Sequence, residues 1–324
     1  MQGTIDMTID MTIGTVLTVL ALTLTAHPSE ADMKKTVAID HAGATLAGVL
    51  YLPDDYREGD RLPAIVVTGA WTTVKEQMPS TYAAEMANRG FAALVFDFRG
   101  WGQSPDRVPY LEDPARKTAD IEAALDFLAS RPEVDPTRIG GFGICASAGY
   151  MSDAAANSDK VRSVALVAPW LHDREIVDDT YGGTDSVDSL IETGRQASAA
   201  ETPVLIEAAS LSNENALMYQ APYYTEEDRG LIPEYDNRFN VASWEGWLTY
   251  DALKTANDMQ KPVLLVHSEA AAIPQGAKAY AERMGGNAET LWLDDVTQFD
   301  FYDDPDAVET AANAAAAHFA RTLN

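Results

Sequence analysis

The chain predicts an α/β fold, with a mostly parallel central sheet, helices on both faces and one helical lid insertion. Three observations carry that expectation. From Lys34 onward, short apolar runs of strand character alternate with segments of helical period, the order of parallel strands joined by right-handed crossovers. The stretch GGFGICASAGY (140–150) follows a strand and opens a helix across a tight turn. The rhythm breaks once, between Trp170 and Pro262.

Taken in order, KTVAID and ATLAGVLYLP form a leading antiparallel pair turned at His41-Ala42-Gly43. PAIVVTG (63–69), rich in Val and bounded by Pro and Gly, reads as a strand buried on both faces. A helix over 77–88 and the buried strand FAALVFDF (91–98) follow. The next helix, over 114–130, sets Ile121, Ala124, Leu125 and Leu128 on one face. Arg138 opens the strand that enters the glycine-rich turn, after which come VRSVALVAPW (161–170), PVLLVHS (262–268), ETLWLDD (289–295) and a final helix from about 305 to 321. The interruption, about 171–261, is dense in aromatic residues, among them Tyr181, Tyr224, Trp244 and Trp247. A connection of that length inside a compact domain implies a functional insertion such as a lid, with extra helical packing against the sheet as the alternative. Residues 34–324 are thus expected to form one domain with a lid, and residues 1–33 an amino-terminal extension.

That extension contains an apolar, Thr-rich run, Ile13 to Ala26, similar to the apolar core of a secretion signal. Asp6 and Asp10 precede it where a signal carries basic residues, and it is short for a membrane span of ~20 residues. A cytoplasmic location is expected, with export through this signal-like end as the alternative.

The 324 residues carry 23 Lys and Arg against 50 Asp and Glu, a net charge of −27. Its field repels nucleic acid and anionic membranes, leaving a small-molecule substrate as the expected partner and a homo-oligomer as an open possibility. One cysteine permits no intrachain disulfide and no Cys-based metal site, and no metal-ligand spacing appears. GGFGIC lacks the spacing of a dinucleotide motif, so no cofactor is expected.

The turn admits two registers. Cys145 flanked by Gly143 and Ser147, or Ser147 flanked by Cys145 and Gly149, would each satisfy the need for small neighbours beside a strained turn residue. The strand through Ile144 leaves no room for two further residues before the helix, which favours Cys145. With VVTGAWTTVKEQ (66–77), GFAALVFDFRGWGQS (90–104) and RPEVDPTRIG (131–140), the turn resembles the α/β-hydrolase superfamily, and within it the branch similar to dienelactone hydrolases, over about Lys34 to Leu323.

The resemblance implies that Cys145 is the nucleophile. It also implies that the amide of Ala146 is half of an oxyanion hole and that Ala70 or Trp71 supplies the other half. Two such donors at a helix amino end stabilise a developing oxyanion and favour a thiolate. The triad, however, is broken. PVLLVHSEAAAIP places Ala271 where the family has its acid, and TQFDFYD places Gln298 where it has its histidine, and Gln is no general base.

Of the five histidines, His27 and His41 are expected at the surface and His318 far from the turn. His267 with Glu269, or His172 with Asp173 at the carboxyl edge of the sheet, are the candidate substitutes; for each, a satisfied structural histidine is the competing reading. Glu76 reads first as a solvated helix-start carboxylate. The expected function is a cofactor-free hydrolase-type enzyme acting on a small ester, thioester or lactone. It would use Cys145 with Gln298 beside it, and Trp170, Tyr181, Trp244 and Trp247 would wall the pocket. The alternative is a non-hydrolytic descendant, either a small-molecule binder or a lyase or isomerase using the oxyanion hole.

Overall fold

The computed structural model describes residues 33–41 and 43–324; the signal-like run lies outside the described residues. Eight strands form the central sheet: β1 (Lys34–His41), β2 (Ala44–Tyr51), β3 (Leu62–Thr68), β4 (Ala92–Phe96), β5 (Val134–Ile144), β6 (Val161–Val167), and further on β11 (Val263–Ser268) and β12 (Ala288–Leu293). Their order is β1-β2-β4-β3-β5-β6-β11-β12. β1 and β2 pair antiparallel with each other, β2 pairs antiparallel with β4, and the other pairings are parallel. Strands β3, β4, β6 and β11, and β5 from Ile139 onward, are almost wholly buried, as their continuous apolar runs require.

Helices α1 (Met78–Ala87), α2 (Pro114–Ala129) and α3 (Ser147–Asn157) connect these strands, and a terminal helix of 18 residues, Pro305–Thr322, closes the chain. α2 starts where Asp113 accepts from the Arg116 amide at 3.0 Å with Pro114 in the first turn, a strong start signal. Gly140 and Gly141 of β5 let helices approach opposite faces of the sheet: a Cβ at the first would meet Phe319 of the terminal helix, and one at the second Met151 of α3.

The chain leaves β3 toward β4 on one side and β5 toward β6 on the other. The loops after β3 and β5 therefore face each other at a topological switch point, where α/β sheets bind ligands. Between β6 and β11 lie helices α4 (Arg174–Thr180), α5 (Thr184–Ser198), α6 (Pro222–Thr225) and α7 (Ser243–Leu248). The expectation of a purely helical insertion is corrected here. The same segment holds two small ribbons, β7 (Leu205–Glu207) with β10 (Arg238–Asn240) and β8 (Ala209–Ser210) with β9 (Met218–Tyr219).

Candidate active site

Cys145 is the residue at the turn. Its φ is +56°, in the left-handed region, and Ser147 is already the first residue of α3. The strain is held by surrounding bonds: the Cys145 amide donates to Val167 O at 3.2 Å, and its carbonyl accepts from Trp170 N at 2.9 Å and Ala148 N at 3.1 Å. Gly143 must lack a side chain, since a Cβ there would lie 2.8 Å from the Ala148 backbone. The Ser147 hydroxyl turns back into the protein, accepting from Ile144 N at 3.1 Å and donating to Ile144 O at 3.0 Å. That leaves it no part in attack.

The thiol is 7% exposed and opens on a cavity of ≈ 710 Å³. Burial pushes the Cys145 thiol above its ordinary pKa; hydrogen bonds from the Tyr302 hydroxyl and from the amides of Ala146 and Trp71 oppose that shift, and the Glu112 carboxylate adds to it. Trp71 is thus the residue of the loop after β3 whose amide reaches the sulfur. The Ala70 carbonyl closes a turn of the same loop by accepting from the Thr73 hydroxyl at 2.7 Å.

Gln298 stands in the loop after β12 and is fully engaged. Its Nε2 donates to Ala168 O at 3.0 Å and to the Tyr302 hydroxyl at 2.9 Å, and its Oε1 accepts from Ala272 N at 3.0 Å. It therefore acts on Tyr302, and Tyr302 acts on the sulfur. The Tyr224 hydroxyl also bonds Tyr302. Tyr302 escaped the sequence reading, although its i, i+4 spacing from Gln298 was a usable signal.

The histidines offered as substitutes do not reach the thiol. His267 is fully buried, stacks on Trp292 at 5.3 Å and accepts from Ser268 N at 2.8 Å; burial pulls its pKa down to about 4. Glu269 is exposed, paired with Lys278 and held by Trp292 Nε1 at 3.0 Å. His172 accepts from Trp170 Nε1 at 3.0 Å through Nδ1, so its Nε2 donates to Trp247 O at 3.1 Å; burial likewise holds it at about 4. Glu269 and His172 are satisfied structural groups, whereas His267 is held through Nδ1 and its buried Nε2 has no hydrogen-bond partner among the described residues. Glu76 pairs with Lys75, and His318 hydrogen-bonds Ser163 at 2.7 Å in the terminal helix.

The cavity wall is aromatic. Trp71 stacks on Trp247 at 4.9 Å and meets Trp244 edge-on at 6.0 Å, while Trp247 Nε1 donates to Tyr181 at 2.8 Å; Trp170 also lines the space. Ala271 lies in the wall, where a carboxylate would have oriented a histidine. Behind the elbow is a group the sequence reading missed. Glu112 and Lys117 form a wholly buried pair at 2.8 Å. Glu112 also accepts from the Tyr150 hydroxyl at 2.9 Å and from Thr72 N at 3.4 Å. Thr72, next to Trp71, has a φ of +61°, so this carboxylate pins the strained loop that carries the donor amide.

Residues 42–293 match the X-Pro dipeptidyl-peptidase (S15) family. An uncharacterized protein of Pseudomonas aeruginosa, PA2218, is 30% identical over 297 residues, 86% of this chain and 78% of that one. The crystal structure of hypothetical protein PA2218 superposes with a TM-score of 0.78, covering 89% of this chain and 93% of that one. The α/β hydrolase GrgF from a Penicillium species, 20% identical, has a TM-score of 0.75 over 90% of this chain and 99% of its own. Over a shorter stretch of 128 residues the chain is 37% identical to the polyketide transferase claH of Penicillium crustosum, 39% of this chain and 41% of that one. The match to the S15 family stops before Gln298 and Tyr302, so it leaves open what replaces the histidine. The chain belongs to the X-Pro dipeptidyl-peptidase (S15) family and has the α/β-hydrolase fold.

Proposed function

We propose that the protein is an acyl-transfer enzyme of the hydrolase type, which takes the acyl group of a small ester, thioester or lactone onto Cys145. The observation that carries this reading is the set of three donors on one sulfur at a cavity: the amides of Trp71 and Ala146 and the hydroxyl of Tyr302. The dienelactone-hydrolase-like G-x-C-x-S turn and the partial likeness to a polyketide transferase support it.

In this reaction the two amides pass from sulfur to the carbonyl oxygen as it turns negative, each such donor being worth about 10²–10³ in rate. The Sγ–C bond forms and the bond from carbon to the leaving oxygen or sulfur breaks. The thiol proton passes through the Tyr302 hydroxyl to the leaving atom, so protons balance without a separate base. Water is a poorer acceptor of the acyl group. Its proton needs a base, and among the described residues lining the cavity none is His, Asp, Glu or Lys. The acyl group then waits for a thiol, whose more acidic proton returns through the Tyr302 hydroxyl to Sγ as the Sγ–C bond breaks.

The test is p-nitrophenol release from short acyl p-nitrophenyl esters. A burst of about one equivalent per protein, followed by slow turnover and abolished by Cys145→Ala, is expected. Equal release by the alanine variant removes Cys145 from the reaction. A second reading, a non-hydrolytic binder, draws on the raised thiol pKa. It predicts no burst, with ligand shielding Cys145 from iodoacetamide.

A further inference from the structure

We infer that the acyl group admitted to this cavity is uncharged and largely hydrocarbon or aromatic, and that peptides bearing a free amino terminus are excluded. The inference names the substrate class of the site proposed above and rests on that reading. At ≈ 710 Å³ the cavity is in the range that encloses a drug-sized ligand. Its described lining is built of aromatic, aliphatic, alanine and neutral polar side chains, with no Asp, Glu, Lys, Arg or His among them.

Most polar groups in the wall are already engaged, and Trp71 Nε1, which has no hydrogen-bond partner among the described residues, is a neutral donor suited to an uncharged oxygen. Gln298 bonds Ala168, Tyr302 and Ala272; Trp247 Nε1 donates to Tyr181; Trp170 Nε1 donates to His172. A carboxylate or ammonium carried into this space would lose its water and meet no opposite charge. The nearby buried carboxylate offers no help to an ammonium, because Glu112 is neutralised by Lys117 and also holds Tyr150 and Thr72. The net charge of −27 opposes anionic acyl groups a second time, at longer range. A peptidase that holds its substrate by the terminal amine needs an anion within reach, and this cavity's described wall supplies none. Membership of a dipeptidyl-peptidase family and the chemistry of this pocket therefore point in different directions.

Protection of Cys145 from iodoacetamide separates this claim from the acyl-transfer claim, because protection needs binding and no chemistry. The probes are 2-octanone and 5-oxohexanoate, methyl ketones of equal non-hydrogen atom count in which a terminal carboxylate of the second replaces a propyl group of the first, and glycyl-prolyl p-nitroanilide. Expected is protection by 2-octanone at a concentration at least about tenfold lower than 5-oxohexanoate requires, with none from the peptide. Met218→Lys, which sets a cation in the wall, should bring 5-oxohexanoate to parity or better. Equal protection by the two ketones, protection by the peptide, or protection by none of the three overturns the inference. Absence of a nitrophenol burst with 2-octanone protection intact leaves this inference standing and defeats the acyl-transfer reading alone.

Discussion

Cys145 combines a turn that strains its backbone with surroundings that keep its sulfur protonated. Burial raises the thiol pKa, so at pH 7 the thiolate fraction is smaller than in a free cysteine and grows as pH rises. Iodoacetamide alkylation should therefore climb about tenfold per pH unit from 7 to 9 without levelling. Tyr302→Phe removes a donor that favours the thiolate and should move the curve further toward alkali. A plateau below pH 8 would mean a primed thiolate and a hidden cation. Part of this site was legible in the residues alone: small flanks identified the turn, and Gln298 and Ala271 drew attention as the residues at the positions where the resemblance expects a base and an acid. Tyr302 was not, because its aim at the sulfur depends on how the loop after β12 folds back over β6. His267 and His172 misled for the converse reason. Both sit near the carboxyl edge of the sheet, yet their rings are turned into Trp292 and Trp247.

Among the elements, the loop after β3 and the start of α2 are joined through one buried ion pair. Glu112 reaches Thr72 in that loop and Lys117 in the first turns of α2, and Lys117 in turn lies over the rings of Phe98 and Trp101 at 4.5 and 4.8 Å. Glu112→Gln strands the Lys117 ammonium in this aromatic cage and should cost about 3–5 kcal/mol in chemical denaturation. Glu112→Leu with Lys117→Met removes both charges and should restore most of that stability. If the single and double variants lose equally, the pair does not act as a unit. The sequence made the strands plain because strands buried on both faces appear as unbroken apolar runs. The ribbons β7 to β10 were invisible to the same reasoning, since pieces of two or three residues are too short to repeat a period. The ion pair was hidden too, because its partners lie five residues apart and look solvated until the packing buries them.

At the scale of the whole molecule, the sheet order brings the loops after β3 and β5 to one switch point, a short helix after β12, Asp300–Asp303, supplies Tyr302, and the segment between β6 and β11 adds Trp170, Tyr181, Trp244 and Trp247 to the wall. The result is a neutral, aromatic cavity inside a protein of net charge −27, with the Cys145 thiol in its wall. Fold class followed from alternation of elements along the chain, whereas the cavity's neutrality depends on residues drawn from distant segments and could be read only once they were assembled. The account turns on whether that sulfur carries an acyl group. Incubation with a hexanoyl thioester of N-acetylcysteamine, followed by mass analysis of the intact protein and its peptides, tests this directly. The predicted result is one hexanoyl group, confined to Cys145 and released when a small thiol is added; an unmodified protein, or an acyl group on any other residue, contradicts the account.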